Sequence, residues 1–551
     1  MDRIVPAEYQ PTLPQDRFIV TDAPDTEAVP MDVVFVGGGP AGLAGAIALA
    51  RLVREDNEKG GGIGEIEIAV LEKAESLGEH CLSGAIIRPG PFRELFPDVA
   101  IEDLPFRGPV QGERVYLLGE KSSTRIPTPP TMGNHGNYIA SLCEVVRWMG
   151  ERAEELGVNI LAGFPAESLL VDGDRVQGVR TVPSGLDRQG NPGSAAEPAT
   201  DITARVVALA DGTRSPLAQA YNAWQNITSA NPQIYALGVK EIWETKKPLD
   251  AIIHTLGWPL PKDVFGGSFM YPLEPNLVAI GLVAGLDYHN AKLDVHVLLQ
   301  RMKQHPLFAE YLQGGECVEW GAKTIPEGGF HSLSSRRSGN GIVVLGDAAG
   351  FVEVASLKGI NYAVQSGIFA ARAIFDALKR GDTTASSLAT YDAMVNDSII
   401  AKDLRKNRNM RLAFKDGFYL GGFKATLMTL TGGAFPGGKI DVESDAEESR
   451  DTSGAGPAMP SGPLVLSKLD AVFKSGNATR DDIPSHLLVG TDIPREVAEM
   501  YVHMCPAGVY EMEGDRLTVN APNCIDCKAT DVLGPRWTPR EGGSGPKYRR
   551  M

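Results

Sequence analysis

The sequence predicts a mixed α/β chain, α+β overall. A Rossmann-like dinucleotide-binding domain is interleaved with a largely antiparallel sheet, and a small cysteine-bearing domain ends the chain. Three observations predict it. The run MDVVFVGGGPAGLAGAIALARLV (31–53) reads as a buried strand, a glycine turn and an Ala-rich helix. The stretch from about 230 to 330 is strand-rich without helix–strand alternation, which favours an antiparallel sheet. The acidic, Gly/Ser/Pro-rich GGKIDVESDAEESRDTSGAGPAMPSGP (437–463) reads as a linker, and three cysteines lie beyond it. At 551 residues the chain exceeds one compact core. The expected divisions are a lead-in at 1–30, the dinucleotide domain at 31–229, the second sheet at 230–334, completion of the first domain with further helices at 335–435, a linker at 436–463 and the cysteine domain at 464–551.

Residues 1–30 are polar and proline-containing, an extended lead-in. KGGGIGE (59–65) separates the first helix from a second strand, IEIAVLEKA (66–74). SLCEVVRWMGERAEEL (141–156) has helical periodicity, and 158–182 alternates as sheet. DRQGNPGSAAEPATD (187–201) reads as a polar loop, and ITARVVALADGTRSPLAQAY (202–221) as strand, turn and helix. SGNGIVVLGDAAG (338–350) returns to a buried strand, GINYAVQSGIFAARAIFDALKR (359–380) is a strong helix, and helix continues to about 415.

Composition removes several classes. A net charge of −16 argues against general nucleic-acid binding. Six cysteines in this length make no disulfide framework. No Ser/His/Asp set or His cluster suggests hydrolysis, and only nine histidines are present. The start MDRIVPAEYQPTLPQDRF has no apolar h-region and no Arg-rich character, and no segment has the ~20 apolar residues of a membrane span. The expected location is the cytoplasmic side, where the chain could still lie on a membrane surface.

Gly37, Gly39 and Gly42 form G-x-G-x-x-G between predicted strand and helix. The first glycine makes the turn, the second admits a pyrophosphate and the third lets helix pack on strand. Glu72 closes the second strand, where an acidic residue holds ribose hydroxyls. A tight turn without a ligand is the plainer alternative. LADGTRSPL (209–217) and VVLGDAAGF (343–351) each place an Asp beside Gly at a strand end. The three motifs in this order resemble the FAD superfamily of hydroxylases and geranylgeranyl reductases. That resemblance assigns Gly346 and Asp347 to the ribityl chain. It aims the helix opening at Gly359, Ile360 and Asn361 at the flavin N1/O2 edge, which becomes negative on reduction.

Longer stretches narrow the likeness: LEKAESLGEHCLSGAII (71–87), HTLGWPLPKDVFGGSFMYPL (254–273), GFVEVASLKGINYAVQSG (350–367) and MCPAGVYE (504–511). From about residue 30 onward the chain resembles the electron transfer flavoprotein–ubiquinone oxidoreductase family. The resemblance implies FAD, one [4Fe–4S] cluster and a ubiquinone pocket. It also implies monotopic membrane attachment and transfer of electrons from reduced electron transfer flavoprotein to the membrane quinone. An FAD enzyme acting directly on a small molecule, of the polyprenyl reductase or hydroxylase type, is the alternative. Gly266 and Gly267 read by themselves as a hairpin turn or bulge; the resemblance makes them quinone contacts. Cys81, Cys143 and Cys317 read as buried cysteines without a role. GFYLGGFKATLMTLTGGAFPGG (417–438), with one Lys and no acidic residue, suits shallow interfacial insertion, or else a buried connector.

Cys505-Pro506 and the C-x-x-C of Cys524 and Cys527 supply most of a ferredoxin half-site, but Thr530 stands where the family has its fourth cysteine. A [3Fe–4S] cluster is one outcome. A [4Fe–4S] cluster with an oxygen ligand from Thr530, Asp531 or water is another. Loss of the cluster and zinc binding are the remaining two.

Overall fold

Burial of the strand Val29–Val36, whose last four side chains are buried, organises the first half of the fold. The structure is a computed structural model and describes residues 2–84 and 86–551. Among them a nine-stranded sheet has a parallel centre: Asn159–Ala162, Ile68–Glu72, Val29–Val36, Asp201–Leu209 and Ile342–Val344. Arg175–Thr181 and Ala166–Asp172 continue it antiparallel, and Ile19–Val20 adds an edge. The helices Pro40–Glu58 and Ile360–Arg380 start from the carboxyl ends of the parallel strands, where ligands of open α/β sheets bind.

The second sheet has seven strands, ordered Glu316–Pro326, Tyr235–Glu244, Leu277–Gly285, Gly266–Glu274, Ile252–Gly257, Glu113–Leu118 and Ser123–Ile126. It is antiparallel except where Ile252–Gly257 runs parallel to Glu113–Leu118. Two of its strands therefore come from the stretch expected in the first domain, a long-range pairing that local periodicity does not encode. The stretch read as strand-rich without helix–strand alternation forms that antiparallel sheet and also carries the helices Val295–Lys303 and Pro306–Leu312. Asp294 caps the first by accepting from the Val297 N–H (3.0 Å). That helix buries Lys303 against Glu241 (2.9 Å), a pairing that lets a lysine sit inside.

Two further expectations change. The polar loop 187–201 contains the strand Pro192–Glu197, paired with Ser184–Leu186. Its turn is held by the Asp187 carboxylate, which accepts from the N–H groups of Gln189 (2.9 Å) and Asn191 (2.8 Å). The acidic segment expected as a linker is packed rather than free. Arg450 is fully buried and donates to the carbonyls of Leu286 (2.6 Å), Asp445 (2.8 Å) and Tyr288. Burial pushes the Asp445 carboxyl up to about 8, and it accepts from the Tyr235 N–H (2.7 Å). Composition signals disorder only while such charges stay in water. The lead-in likewise packs: Phe18 is buried, and Gln10 donates to the carbonyls of Asp531 and Gly534, both 2.9 Å.

The C-terminal part holds the helix Arg495–Met504, the hairpin Tyr510–Glu513/Arg516–Val519 and the short helix Ala529–Leu533. It docks on both sheets. Arg214 pairs with Asp531 (2.8 Å), and the Thr324 N–H donates to the Cys527 carbonyl (2.9 Å). Among the described residues no helix is long and apolar enough to cross a membrane.

Candidate functional site

A cavity of about 1160 Å³ runs through the interface of the two sheets. At its first end the strand Val29–Val36 turns through Gly37, which has φ +114°. A Cβ there would stand 2.4 Å from the Ala210 carbonyl oxygen, and one on Gly42 would stand 2.1 Å from the Gly37 carbonyl oxygen. No heavy atom lies within 4 Å of a Cβ built on Gly39, which lines the cavity. Neither the helix Pro40–Glu58 nor the helix Ile360–Arg380 has a side-chain cap at its N-terminus. Two long helices thus leave N–H groups free beside one cavity, an arrangement that favours anionic or electron-rich ligand groups.

Carboxylates complete this end. Glu72 accepts from the N–H groups of Gly38 (3.0 Å) and Ala74 (2.8 Å), and it lines the cavity. Asp347 also lines it, and burial pushes its carboxyl up to about 6 against the opposing charge of Lys323. Asp211 is half-buried, with one oxygen bonded by Ser215 (2.6 Å) and the other, itself shielded from solvent, without a protein partner. Unpartnered buried carboxylate oxygens fit a ligand rich in hydroxyls, as a dinucleotide is. Not every expected residue faces the cavity. Gly346 (φ +55°) makes the turn before Asp347, and a Cβ on it would stand 2.9 Å from Ala41. Asn361 does not line the cavity: its Oδ1 accepts from the Arg88 N–H (2.8 Å), while its buried Nδ2 has no protein partner.

At the second end Gly266 and Gly267 open the strand Gly266–Glu274 and line the cavity. Gly266 has φ +150°, and a Cβ on it would stand 2.0 Å from the Val283 carbonyl oxygen. The pair therefore starts a strand inside a sheet. Beside it His254 Nε2 and Tyr271 Oη are 2.6 Å apart. Burial, reinforced by the charge of Lys358, holds the His254 imidazole down at about 3, so it is neutral at ordinary pH. Sequence reading missed this pair, because a lone His and Tyr on adjacent strands carry no motif.

The cavity continues to the helix Phe418–Leu430, whose Phe418, Gly422, Ala425 and Thr429 line it. The same helix exposes Tyr419 (70%), Phe423 (62%) and Leu430 (77%).

Cys505, Cys524 and Cys527 are buried and share a small second cavity with Tyr510 and Thr530. Burial pushes the Cys524 thiol up to about 12, and it raises Cys527 too, whose ionisation Cys505 and Cys524 further disfavour. Sulfur donors gathered in an apolar wall fit an iron–sulfur cluster, whose binding releases those protons. Asp526 (φ +55°) and Lys528 (φ +70°) bend the loop around the thiols. Lys528 lines the large cavity while its neighbours Cys527 and Ala529 line the small one. One loop is therefore the wall between the two sites. Of the other cysteines, Cys81 lines the large cavity, Cys143 donates to the Cys81 carbonyl (3.1 Å), and Cys317 donates to the Glu319 carbonyl (3.4 Å).

Residues 235–325 match the family model described as ETF-QO, ubiquinone-binding. Residues 462–549 match the one described as electron transfer flavoprotein-ubiquinone oxidoreductase, 4Fe-4S. The mitochondrial electron transfer flavoprotein-ubiquinone oxidoreductase of Oryza sativa is 36% identical over 95% of this chain and 94% of that protein. The Pseudomonas aeruginosa protein of that name is 36% identical over 96% of this chain and 100% of its own, and the human mitochondrial one 36% over 94% and 89%. Among solved structures, a geranylgeranyl bacteriochlorophyll reductase-like protein from Thermoplasma acidophilum aligns with a TM-score of 0.56 at 19% identity, covering 73% of this chain and 92% of that one. A flavin-dependent brominase aligns at 0.51 and 16%, covering 74% and 94%. Those two likenesses concern the fold alone.

Proposed function

The chain belongs to the electron transfer flavoprotein–ubiquinone oxidoreductase family, and on that premise we propose how its residues carry the activity. The protein transfers electrons from electron transfer flavoprotein to ubiquinone, with FAD and an iron–sulfur cluster as resident groups. One observation carries the residue assignment: a single cavity joins Gly39 and Asp347 to Gly266 and Gly267, and its wall is the cysteine loop. FAD, when bound, supplies the step between one-electron and two-electron chemistry. Gly37, Gly39 and Gly42 with the first helix N-terminus hold its pyrophosphate, Glu72 its ribose, and Asp347 its ribityl hydroxyls. The helix N-terminus at Gly359 and Ile360 faces its isoalloxazine edge. Cys505, Cys524 and Cys527 hold the cluster. Main-chain groups at Gly266 and Gly267 meet the quinone, and Tyr271 Oη, held by neutral His254, is placed to donate a hydrogen bond to a quinone oxygen.

The reading predicts that reduced electron transfer flavoprotein reduces a soluble quinone analogue through the purified protein. No quinone reduction from that donor, with rapid reduction by NAD(P)H instead, would overturn it in favour of a small-molecule flavoenzyme.

The helix Phe418–Leu430 is the membrane contact in this proposal. Its Tyr419, Phe423 and Leu430 are exposed, and Tyr419 and Leu430 also line the quinone end of the cavity, which gives a long-tailed quinone a route from lipid. The surface it touches is the cytoplasmic side of the inner membrane, and the protein acts there as a monomer. Charged substitutions at Phe423 and Leu427 are expected to abolish co-sedimentation with liposomes while leaving reduction of a short-chain quinone intact. Undiminished sedimentation would make the helix a packing element instead.

A further inference from the structure

We propose that this chain holds a three-iron cluster, with no protein ligand at the corner where its family supplies a fourth cysteine; the proposal rests on the cluster reading above. The three thiols converge on one cavity. Thr530 is the residue placed to complete that cavity, and its hydroxyl is committed elsewhere. It donates to the Pro535 carbonyl (3.2 Å), which leaves Tyr510 Oη as the donor to Thr530 Oγ1 (2.6 Å). The chain of donors Tyr510, Thr530 and Pro535 carbonyl satisfies both hydroxyls as neutral groups. A neutral, hydrogen-bonded alcohol is a poor replacement for a thiolate at iron.

The neighbouring oxygen and nitrogen donors fare no better. Asp531 gives one carboxylate oxygen to Arg214 (2.8 Å) and the other to the Trp537 N–H (3.0 Å). Asp526 accepts from Lys73 (2.6 Å), Trp537 Nε1 (3.0 Å) and Arg540 (2.9 Å). His486 is the nearest rival: it is buried, neither ring nitrogen has a hydrogen-bond partner, and its ring groups with Cys524 and Asp526. It does not line the cavity shared by the three cysteines and Thr530, however. Asp526, already saturated by two cations and an indole, is not free to build a separate metal site with it. Three thiolates and three irons match in number, so the donor set suits a cluster lacking the fourth iron.

The test is iron and sulfide per FAD, with EPR of the oxidised protein, on anaerobically purified wild type and the variants Thr530→Cys and Thr530→Val. About three irons per FAD and a paramagnetic oxidised cluster are expected in the wild type. Thr530→Val should keep both, because the hydroxyl is not a ligand. Thr530→Cys should rise to about four irons and lose the oxidised-state signal. Four irons in the wild type would overturn the proposal, and their loss in Thr530→Val would name the hydroxyl as ligand. Iron present only in Thr530→Cys would overturn it too, since three thiolates would then be insufficient. If none of the three proteins holds iron while FAD is full, the cluster reading itself fails, a result separable from all the others.

Discussion

Replacing Asp531 by alanine should destabilise the protein by about 3–5 kcal/mol and loosen the cysteine domain from the sheet it docks on. Asp531 is buried, and it receives Arg214 from the turn after the strand Asp201–Leu209 (2.8 Å). Removing the carboxylate strands the Arg214 guanidinium over the Tyr235 ring, 5.4 Å from its centroid, without a counter-charge. An uncompensated buried charge is what makes single deletions of such pairs expensive. The double variant Arg214→Met/Asp531→Leu should regain part of the loss, because it removes both buried charges while the Trp537 N–H stays without its acceptor. The pair also sets an acid limit. Burial pushes the Asp531 carboxyl up, but Arg214, Arg536 and Lys528 outweigh it and hold it below the usual range. Its stabilisation is therefore fully present above the unfolded value, about 3.9, and is lost as pH falls through the lower folded value. Urea unfolding followed from pH 7 down to 3 checks both points. An unchanged midpoint in Asp531→Ala would mean the pair is not what docks the domain.

Asp347→Ala should lose FAD. The carboxylate lines the cavity beside the uncapped helix at Gly359, and sugar-alcohol hydroxyls donating to it would form charge-assisted bonds. Such a bond contributes about 1.5–3 kcal/mol, so affinity should fall roughly 10- to 150-fold. Because burial raises the carboxyl to about 6, retention in the wild type should weaken as pH drops through that value, while the variant shows no such step. Flavin absorbance retained after dialysis at pH 7 and pH 5 measures both effects. Full FAD content in the variant would remove Asp347 from the binding role.

The glycine turn, both dinucleotide helices and the three cysteines were legible in the sequence for a common reason. Each is a local requirement: Gly37 must take φ +114°, Gly42 must admit the Gly37 carbonyl, and a thiolate must be a cysteine. The fold class follows from the same local signals. Apolar strands lead into helices across glycine turns, and the alternation then gives way to consecutive strands. Long-range partners were not legible. Nothing near Glu113–Leu118 says that it lies parallel to Ile252–Gly257, and nothing near Asp445 or Arg450 says that an acidic stretch is buried.

Thr530 shows where the division lies. That the fourth cysteine is absent, with a hydroxyl in its place, is written in the residues themselves. It takes the folded chain to commit that hydroxyl to Pro535 and Tyr510, to pair Asp531 with Arg214, and to make the cysteine loop a wall of the large cavity. Residue type is a property of one position. Whether its donor or acceptor is free depends on which distant groups the fold brings within hydrogen-bonding distance.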